Sequence, residues 1–453
     1  MASLTYMQLL RGNRSFRRLW VGQVISELGN WFNFIAVLGL VRSVSGAAPE
    51  ATALMVVMRF APFAVFAPVA GAFVDRLSRR TVMIASDMAR AFVTLGFLFI
   101  RGTDDLWIAY VCTAISGLLS AFFEGAKNAA IPNLAGSNGL LAGNALLFSS
   151  RFLLMAVGAA LGGAASARYG YQAAFVMDAL SFVVSAYAIW LIPERDIKPD
   201  EAVAGERSAA QSIEKKQQRV SVFTDMREGW KFIAQQRLVM AIISINILWA
   251  TGGGAGNLVY DRLGGVVFAG QGGAQGDSGV ATLYMAVGAG LFFGMMLARR
   301  VGAHVELRGK TVGFIGWTLI AHGIFFALAG LMPTLWMAAL MLFLSRFIIA
   351  LEFALQETLM MRALPDHLRG RVFTTDRAAE IAIMSASTFV AGWALHAITP
   401  RGLTIVAGLL SASPGIMWLS LFAFGRLRLP PAPAEAQEEE AEEAKEAVLA
   451  SAG

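Results

Sequence analysis

Residues 71–80 read Gly-Ala-Phe-Val-Asp-Arg-Leu-Ser-Arg-Arg, a short charged segment between two long apolar runs at about 51–73 and 80–100. An apolar run of about 20 residues is long enough for a helix to cross the hydrocarbon core of a bilayer. Because so few residues separate these two runs, they predict two adjacent antiparallel membrane helices joined by a charged loop.

The same alternation of apolar runs and polar breaks continues along all 453 residues, of which 57% are hydrophobic and 15% are charged. Soluble domains carry about 25% charged residues, so the composition excludes an ordinary water-soluble protein. A backbone in lipid must satisfy its own hydrogen bonds, which makes helices the expected spanning element. Twelve membrane helices are predicted at about 18–41, 51–73, 80–100, 106–126, 140–165, 171–192, 236–258, 279–298, 310–331, 334–357, 376–398 and 402–425.

The predicted fold class is therefore all-α, a polytopic membrane protein with twelve transmembrane helices in two six-helix halves. The predicted boundaries are 1–192 for the N-terminal half, 193–234 for a cytoplasmic linker and 235–428 for the C-terminal half. Residues 429–453 are rich in Pro and Glu and predict a disordered acidic tail. The Gly-rich stretch 252–279 is interpreted as a flexible link between helices seven and eight.

The basic residues test this topology. With both termini on one side, 28 of the 37 Lys and Arg residues fall in the leader, linker, tail and loops of that side. Four lie within spans and five on the opposite side, which are Arg42, Arg101, Arg168, Arg262 and Arg401. Because positive charge marks cytoplasmic loops, we expect a multi-pass protein of the cell (inner) membrane with both termini in the cytoplasm.

A short repeat supports two related halves. Glu124 precedes Pro132 by eight residues near the end of helix four, and Glu357 precedes Pro365 by eight near the end of helix ten. Two parallel halves of this kind place a binding site between them.

The sequence contains little evidence for an enzyme, a metal site or a nucleotide-binding site. The single Cys112 excludes disulfides and multi-cysteine metal sites. The four His residues lack metal-ligand spacing, and nucleotide-binding and nucleophile motifs are absent. We therefore expect no enzyme, no metal, no cofactor and no nucleic-acid partner, but a monomer in the lipid bilayer that handles a small molecule and protons.

The loop at 71–80 resembles the loop motif of the major facilitator superfamily, a group of membrane transporters. Gly71, Asp75, Arg76, Arg79 and Arg80 match the family pattern, whereas Phe73 and Ser78 replace its usual Leu and Gly. The resemblance implies a twelve-helix transporter with alternating access, in which these five residues form a cytoplasmic gate. An ion pair that exists in one conformation only would bias the equilibrium between two states.

Three further segments resemble particular branches of that family. Residues 158–163, Gly-Ala-Ala-Leu-Gly-Gly, are similar to a motif of its drug/proton antiporters, with Ala159 in place of Pro; a small-residue packing face explains them equally well. Residues 13–31 and 174–182 are similar to macrolide efflux and enterobactin exporters. These resemblances imply export of a drug or siderophore-like molecule.

Charged residues near the middle of the spans are the candidate transport residues: Glu27, Arg59, Arg151, Asp178 and Arg346. Each would cost about 2.5–3.5 kcal/mol at the centre of a lipid-facing helix, so they are expected to face a cavity or one another. Glu27 is the first candidate for proton coupling and Asp178 the second. Three Arg against two acids favours an anionic or zwitterionic substrate.

Five further acids are secondary candidates, placed nearer the cytoplasmic ends: Asp87, Glu124, Glu352, Glu357 and Glu380. Asp87 lies one helical turn from Arg90, which predicts a structural pair.

Three functions follow. The first is proton-coupled efflux of an amphiphilic small molecule. The second is a facilitator that moves lysophospholipid or another amphiphile without proton coupling, and the third is a membrane scaffold that binds partners through its linker and tail.

Overall fold

The computed structural model describes residues 5–74, 77–197, 236–271 and 276–427, and all of its regular elements are helices. The helices are α1 (Tyr6–Gly12), α2 (Arg14–Val44), α3 (Pro49–Val74), α4 (Arg79–Leu95), α5 (Leu106–Trp190), α6 (Glu194–Ile197), α7 (Arg237–Gly253), α8 (Gly256–Arg262), α9 (Asp277–Leu307), α10 (Thr311–Leu331), α11 (Leu335–Ala363), α12 (Asp366–Ala394) and α13 (Pro400–Ala423). Short 3₁₀ turns follow α4 and precede α5, and a π turn (Leu263–Val267) follows α8. The all-α prediction is confirmed.

Breaks within α5 divide it into three spans. Gly136 and Gly170 have φ of 68° and 77°, a left-handed conformation that glycine adopts without a Cβ clash. Helical stretches long and apolar enough to cross a membrane number ten within the described residues, and one of them, 138–190, contains the break at Gly170. Counting that stretch as two and adding α12, which covers residues 376–394 of the predicted span 376–398, gives the twelve predicted helices.

The two prolines of the sequence repeat occupy the same junction in each half. Pro132 lies in α5 shortly before the break at Gly136, and Pro365 is the N-cap of α12. Each proline therefore marks the passage from the fourth to the fifth helix of its half.

The prediction of a flexible link at 252–279 is wrong over most of its length. The chain stays helical from Arg237 to Val267, and Gly252, Gly253 and Gly256 are buried. A Cβ at Gly252 would lie 2.5 Å from the backbone oxygen of Ala407 in α13. These glycines allow close helix packing in the membrane interior, where they add no flexibility.

The two halves share a core. One cluster of buried side chains joins Phe34 and Val56 of the N-terminal half to Leu258, Tyr284 and Phe326 of the C-terminal half. Each half also has its own core. We call the contact zone between the halves the seam.

The helix bundle has two ends, which we call the far end and the termini end. The far end carries the connections after α2, before α5, at the Gly170 break of α5, after α8, after α10 and after α12, at 45–48, 96–105, 170, 263–271, 332–334 and 395–399. The termini end carries the connections at 12–13, 77–78, 136, 191–197, 308–310 and 364–365. The predicted linker lies outside the described residues apart from 193–197, and the predicted tail lies outside them entirely.

Candidate functional site

Asp178 connects three helices of the N-terminal half. The residue lies in α5 and is 1% exposed. Its Oδ2 accepts hydrogen bonds from Asn33 Nδ2 of α2 at 2.7 Å and from Thr94 Oγ1 of α4 at 3.4 Å. A Cβ at Gly29 would lie 2.7 Å from Asp178 Oδ1, so the glycine leaves room for the carboxyl group.

Arg59 connects this carboxyl group to Glu27 and Arg151, and Arg90 also interacts electrostatically with Asp178. Arg59 is half-buried, its guanidinium lies 4.4 Å above the ring of Phe34, and it interacts electrostatically with Glu27, Asp178 and Arg151. Glu27 is half-buried and Arg151 is exposed. The structure therefore brings the four mid-span charges of the N-terminal half into one electrostatic network.

Two of the secondary candidates form local pairs. Asp87 and Arg90 make a buried ion pair, as predicted, and the Arg90 guanidinium also lies 4.6 Å from the ring of Phe123. Glu124 pairs with Lys127 at 2.5 Å. Both acids are held by a cation one turn away on their own helix, which indicates a structural role.

Arg346 in the C-terminal half has a different environment. It is 7% exposed, and its Nε and Nη2 both donate to the hydroxyl of Tyr260, with Nε at 3.1 Å. Its guanidinium lies 5.2 Å above the ring of Phe326. Among the described residues, no carboxylate lies within ion-pair distance of Arg346, so a neutral phenol takes the place of an acid.

His322 was not singled out from the sequence, yet it is fully buried beside Arg346. Its Nε2 accepts from Trp249 Nε1 at 3.2 Å, and its Nδ1 lies 2.8 Å from Ser345 Oγ and 3.1 Å from the Ser345 carbonyl oxygen. Because indole N–H only donates, the ring proton is assigned to Nδ1, and the imidazole is neutral. A lone His in an apolar helix gives no sequence signal of such a partner set.

The three remaining candidate acids lie on two helices of the C-terminal half, α11 and α12. Glu352 in α11 is 1% exposed, and its Oε1 lacks a hydrogen-bond partner within the described part of the chain. Glu357 is exposed and interacts electrostatically with Arg377, which also pairs with Glu380 at 2.6 Å. Glu357 and Glu380 therefore share Arg377, whereas Glu352 does not take part in this interaction.

Aromatic side chains from both halves meet at the seam. The ring centroids of Phe34 and Tyr284 are 5.3 Å apart, and those of Tyr260 and Tyr284 are 5.2 Å apart. Trp31 lies 5.8 Å from Tyr284, and its buried Nε1 lacks an acceptor among the described residues. We call Trp31, Phe34, Tyr260 and Tyr284 the aromatic cluster. It connects Arg59 on one side to Arg346 on the other.

At the far end, a group of buried charges joins the two halves. Arg42 of α2 makes ion pairs with Asp261 and Asp277 of the C-terminal half. Arg262 pairs with Asp261 at 3.0 Å, and Tyr171 donates to Asp277 at 2.7 Å.

Arg262 also reaches across to the N-terminal half. It donates to the Ala47 carbonyl oxygen at 2.6 Å and to Thr52 Oγ1. We call Arg42, Asp261, Arg262 and Asp277 the clasp; its two positive and two negative charges balance.

Sequence reasoning missed the clasp because its partners are 219 and 235 residues apart. From the sequence, Arg42 and Arg262 are only two of the five Lys and Arg residues on the side opposite the termini. An Asp and an Arg adjacent at 261–262, in a segment otherwise rich in Gly and apolar residues, are the signal that could have drawn attention to it.

At the termini end, the predicted gate is only partly described. Asp75 and Arg76 lie outside the described residues, and Gly71 lies in the last turn of α3. Arg79 donates to the Ala129 carbonyl oxygen at 2.8 Å, and Arg80 donates to that of Trp190. Both acceptors belong to the same half as the arginines.

The glycines at 158–163 form a packing face. A Cβ at Gly158 would lie 2.7 Å from Trp31 Cβ, and one at Gly162 would lie 2.9 Å from Phe32 Cα. A Cβ at Gly163 would overlap Ala281 of α9, across the seam. These glycines set the distance between helices and bring Trp31 into the aromatic cluster.

Buried charge at the seam of two packed membrane-helix bundles is the arrangement of secondary transporters, whose substrate and ion sites lie between their halves. Residues 19–375 match the family model of the Major Facilitator Superfamily. The chain belongs to this superfamily; it is a multi-pass membrane transporter and not an enzyme.

Several curated relatives share part of the chain. It is 26% identical over 235 residues to the uncharacterized MFS-type transporter YfiS of Bacillus subtilis, covering 51% of this chain and 52% of the relative. It is 22% identical over 236 residues to macrolide efflux protein A of Streptococcus pyogenes, covering 52% and 55%. The matched region thus spans about half the length of these relatives.

Solved structures show the same fold at low sequence identity. A POT family transporter in complex with a thioalcohol-conjugated peptide superimposes with a TM-score of 0.69 at 10% identity, covering 90% of this chain and 96% of that one. A bacterial homologue of the iron transporter ferroportin, in an inward-facing state, gives 0.62 at 15% identity, covering 90% and 99%. These likenesses establish the fold alone.

Proposed function

We propose that this transporter exports an amphiphilic small molecule, such as a drug or a siderophore-like metabolite, in exchange for protons. It works as a monomer in the cell membrane by alternating access, with both termini in the cytoplasm. The similarity to macrolide efflux protein A supports export, and the distribution of Lys and Arg supports the orientation.

The observation that carries proton coupling is the position of Asp178. Its carboxylate accepts hydrogen bonds from two other helices, through Asn33 and Thr94. Hydrogen bonds and nearby cations favour the charged form of a carboxyl group, and burial without them favours the neutral form. A movement of α2 or α4 relative to α5 would remove these donors, and Asp178 would then take up a proton.

Glu27 and Arg59 extend this switch. Arg59 interacts electrostatically with both Glu27 and Asp178, so a shift of α3 changes the stabilisation of two carboxylates at once. Glu27 is less buried than Asp178 and is suited to exchange the proton with water. In this proposal Asp178 senses the conformation and Glu27 relays the proton.

The clasp is the far-end gate in this account. It joins the halves through buried ion pairs, and the far end cannot open while these pairs persist. The loop at 71–80 acts as the gate at the opposite end.

Inside-out membrane vesicles with an acidic lumen test this proposal. Erythromycin, ethidium and 2-naphthoate are added one at a time, and an antiporter is expected to dissipate the pH gradient with at least one of them. Glu27→Gln and Asp178→Asn should abolish the proton flux. Asp104→Asn, which changes an exposed acid outside the network, should not.

Uptake of a probe without any proton movement would contradict proton coupling. Uptake of labelled lysophosphatidylcholine that persists after the gradient is collapsed would favour the facilitator instead. Size-exclusion chromatography of each variant confirms that the protein is folded.

A further inference from the structure

Arg59 and Arg346 differ in how their charge is balanced. Each lies in one half, at one side of the aromatic cluster. Arg59 interacts electrostatically with two carboxylates, Glu27 and Asp178. Arg346 has no carboxylate within ion-pair distance among the described residues, and its acceptor is the neutral hydroxyl of Tyr260.

The surroundings of Arg346 suit an anion. A guanidinium group binds carboxylate and phosphate oxygens through paired N–H donors, and such charge-assisted hydrogen bonds are about twice as strong as neutral ones. The hydroxyl of Tyr260 occupies this position in the present conformation. A Cβ at Gly256 would lie 3.5 Å from Arg346 Nη2, so the glycine keeps side-chain atoms away from this edge of the guanidinium.

The aromatic cluster offers a partner for a planar ring. Tyr260 and Tyr284 meet edge to face, with an interplanar angle of 86°, and Trp31 lies against Tyr284. Rings in such a cluster can accept another ring in offset or edge contact. The buried Nε1 of Trp31 lacks an acceptor among the described residues, so the cluster also contains an unused hydrogen-bond donor.

We propose that Arg346 and the aromatic cluster form a binding site for the oxyanion and the ring of an aromatic carboxylate. The inference rests on the proposed transport function and names its substrate class. The anion replaces the Tyr260 hydroxyl as the acceptor of Arg346, and the ring packs against Tyr284 and Trp31. Arg59 stays with Glu27 and Asp178, so substrate and proton have separate cationic partners.

Arg59 and Arg346 are both mid-span arginines in the sequence, but they have different roles. Arg346→Gln should weaken substrate binding, whereas Arg59→Gln should chiefly disturb proton flux. Arg401 provides a matched control. Its guanidinium also lies over a phenyl ring, 5.2 Å from Phe268, but it donates to the carbonyl oxygens of Gly330 and Met332.

The test measures equilibrium binding to the full chain in nanodiscs without a pH gradient, with empty nanodiscs as the blank. The probes are 2-naphthoate, 2-naphthylmethylamine and decanoate, which separate the effects of charge and ring. We expect 2-naphthoate to bind at least about tenfold more tightly than either of the others. Arg346→Gln should remove this preference, Arg346→Lys should retain part of it, and Arg401→Gln should leave it unchanged.

A second variant tests the ring contact. Tyr284→Leu should weaken binding of 2-naphthoate but not of decanoate, and Tyr284→Phe, which keeps the ring, should bind like the parent protein. The thermal unfolding midpoint of each variant shows whether it is folded.

Several outcomes would overturn the inference. Equal binding of 2-naphthoate and the amine would reject the anion site, as would unchanged 2-naphthoate binding in folded Arg346→Gln. Equal binding of decanoate and 2-naphthoate would reject the aromatic contact. Because binding is measured without a gradient, an absence of proton flux in vesicles of the parent protein, together with intact 2-naphthoate binding, rejects the proposed coupling and leaves this site in place.

Discussion

The two ends of the molecule use arginine in different ways. At the far end, Arg42 and Arg262 form ion pairs and hydrogen bonds that cross from one half to the other. At the termini end, Arg79 and Arg80 donate to carbonyl oxygens of their own half. Arginine therefore holds the halves together at one end and stabilises one half on its own at the other.

This difference has a consequence for movement. The clasp must be broken for the far end to open, because its four charges are buried between the halves. The contacts of Arg79 and Arg80 can persist when the halves move apart as rigid bodies. Changes at the far end should therefore shift the balance between conformations more than changes at the termini end.

The largest effect is expected from Arg42→Met. Removing one partner of a buried ion pair costs about 3–5 kcal/mol, because the other charge stays buried without compensation. Asp261 then keeps only Arg262 as a cationic partner, and Asp277 keeps only the hydroxyl of Tyr171, so the far-end-closed state should be destabilised by about that amount. The thermal unfolding midpoint of the purified protein measures the loss.

Two further variants serve as controls for Arg42→Met. Adding Asp277→Asn restores the charge balance of the clasp and should recover part of the stability. Arg101→Met removes an exposed far-end arginine and should have little effect. If the unfolding midpoint falls as far in Arg101→Met as in Arg42→Met, the clasp does not stabilise the closed far end more than an exposed arginine does.

The next effect is expected at the seam. A Cβ at Gly288 would lie 2.6 Å from the backbone nitrogen of Ala156 in the other half. Gly288→Ala should therefore push the halves apart and cost about 1–3 kcal/mol, the usual range for overpacking. Gly313→Ala is the matched control in a membrane helix, since a Cβ there meets no atom within 4 Å. If the two variants unfold at the same temperature, the halves do not depend on this close contact.

A smaller effect is expected from Arg79→Gln at the termini end. The variant loses a part-buried hydrogen bond to the Ala129 carbonyl oxygen, worth about 1.5 kcal/mol for a charged donor. Its far-end geometry should stay that of the parent protein, because both partners lie in one half. A far-end opening like that of Arg42→Met would remove the distinction between the two ends.

The smallest effect is expected at the rim of the far end. Glu50 and His396 join the halves at 3.3 Å, but their side chains are 60% and 59% exposed. Exposed ion pairs contribute less than about 1 kcal/mol. Glu50→Gln should leave the unfolding midpoint within about a degree of the parent value. A larger drop would mean that burial does not decide which far-end contacts matter.

The sequence predicted the membrane helices well because lipid allows a chain few alternatives. It did not predict that the helical path continues past residue 258 to Val267, because the glycines were interpreted as a source of flexibility. In a buried helix the same residue permits close contact, as at Gly252 against Ala407.

The candidate site was predictable by residue but not by partner. Asp178 and Arg346 were identified as buried charges because a charge in a membrane span is costly. Their partners Asn33 and Tyr260 are ordinary polar residues, and only the fold brings them into contact. The clasp depends in the same way on contacts between residues distant in sequence.

The most direct test of the account measures both ends of the molecule at once. Spin labels at Arg168 and Leu331 report on the far end, and labels at Met7 and Leu307 report on the termini end, in a Cys112→Ala background. All four label positions are exposed. Distances are measured by pulsed electron paramagnetic resonance in the parent protein and in Arg42→Met.

Alternating access with the clasp as the far-end gate predicts opposite changes. In Arg42→Met, the distance between Arg168 and Leu331 should increase, and the distance between Met7 and Leu307 should decrease in the same population. An unchanged far-end distance, or a far-end opening with no movement at the termini end, would contradict the account.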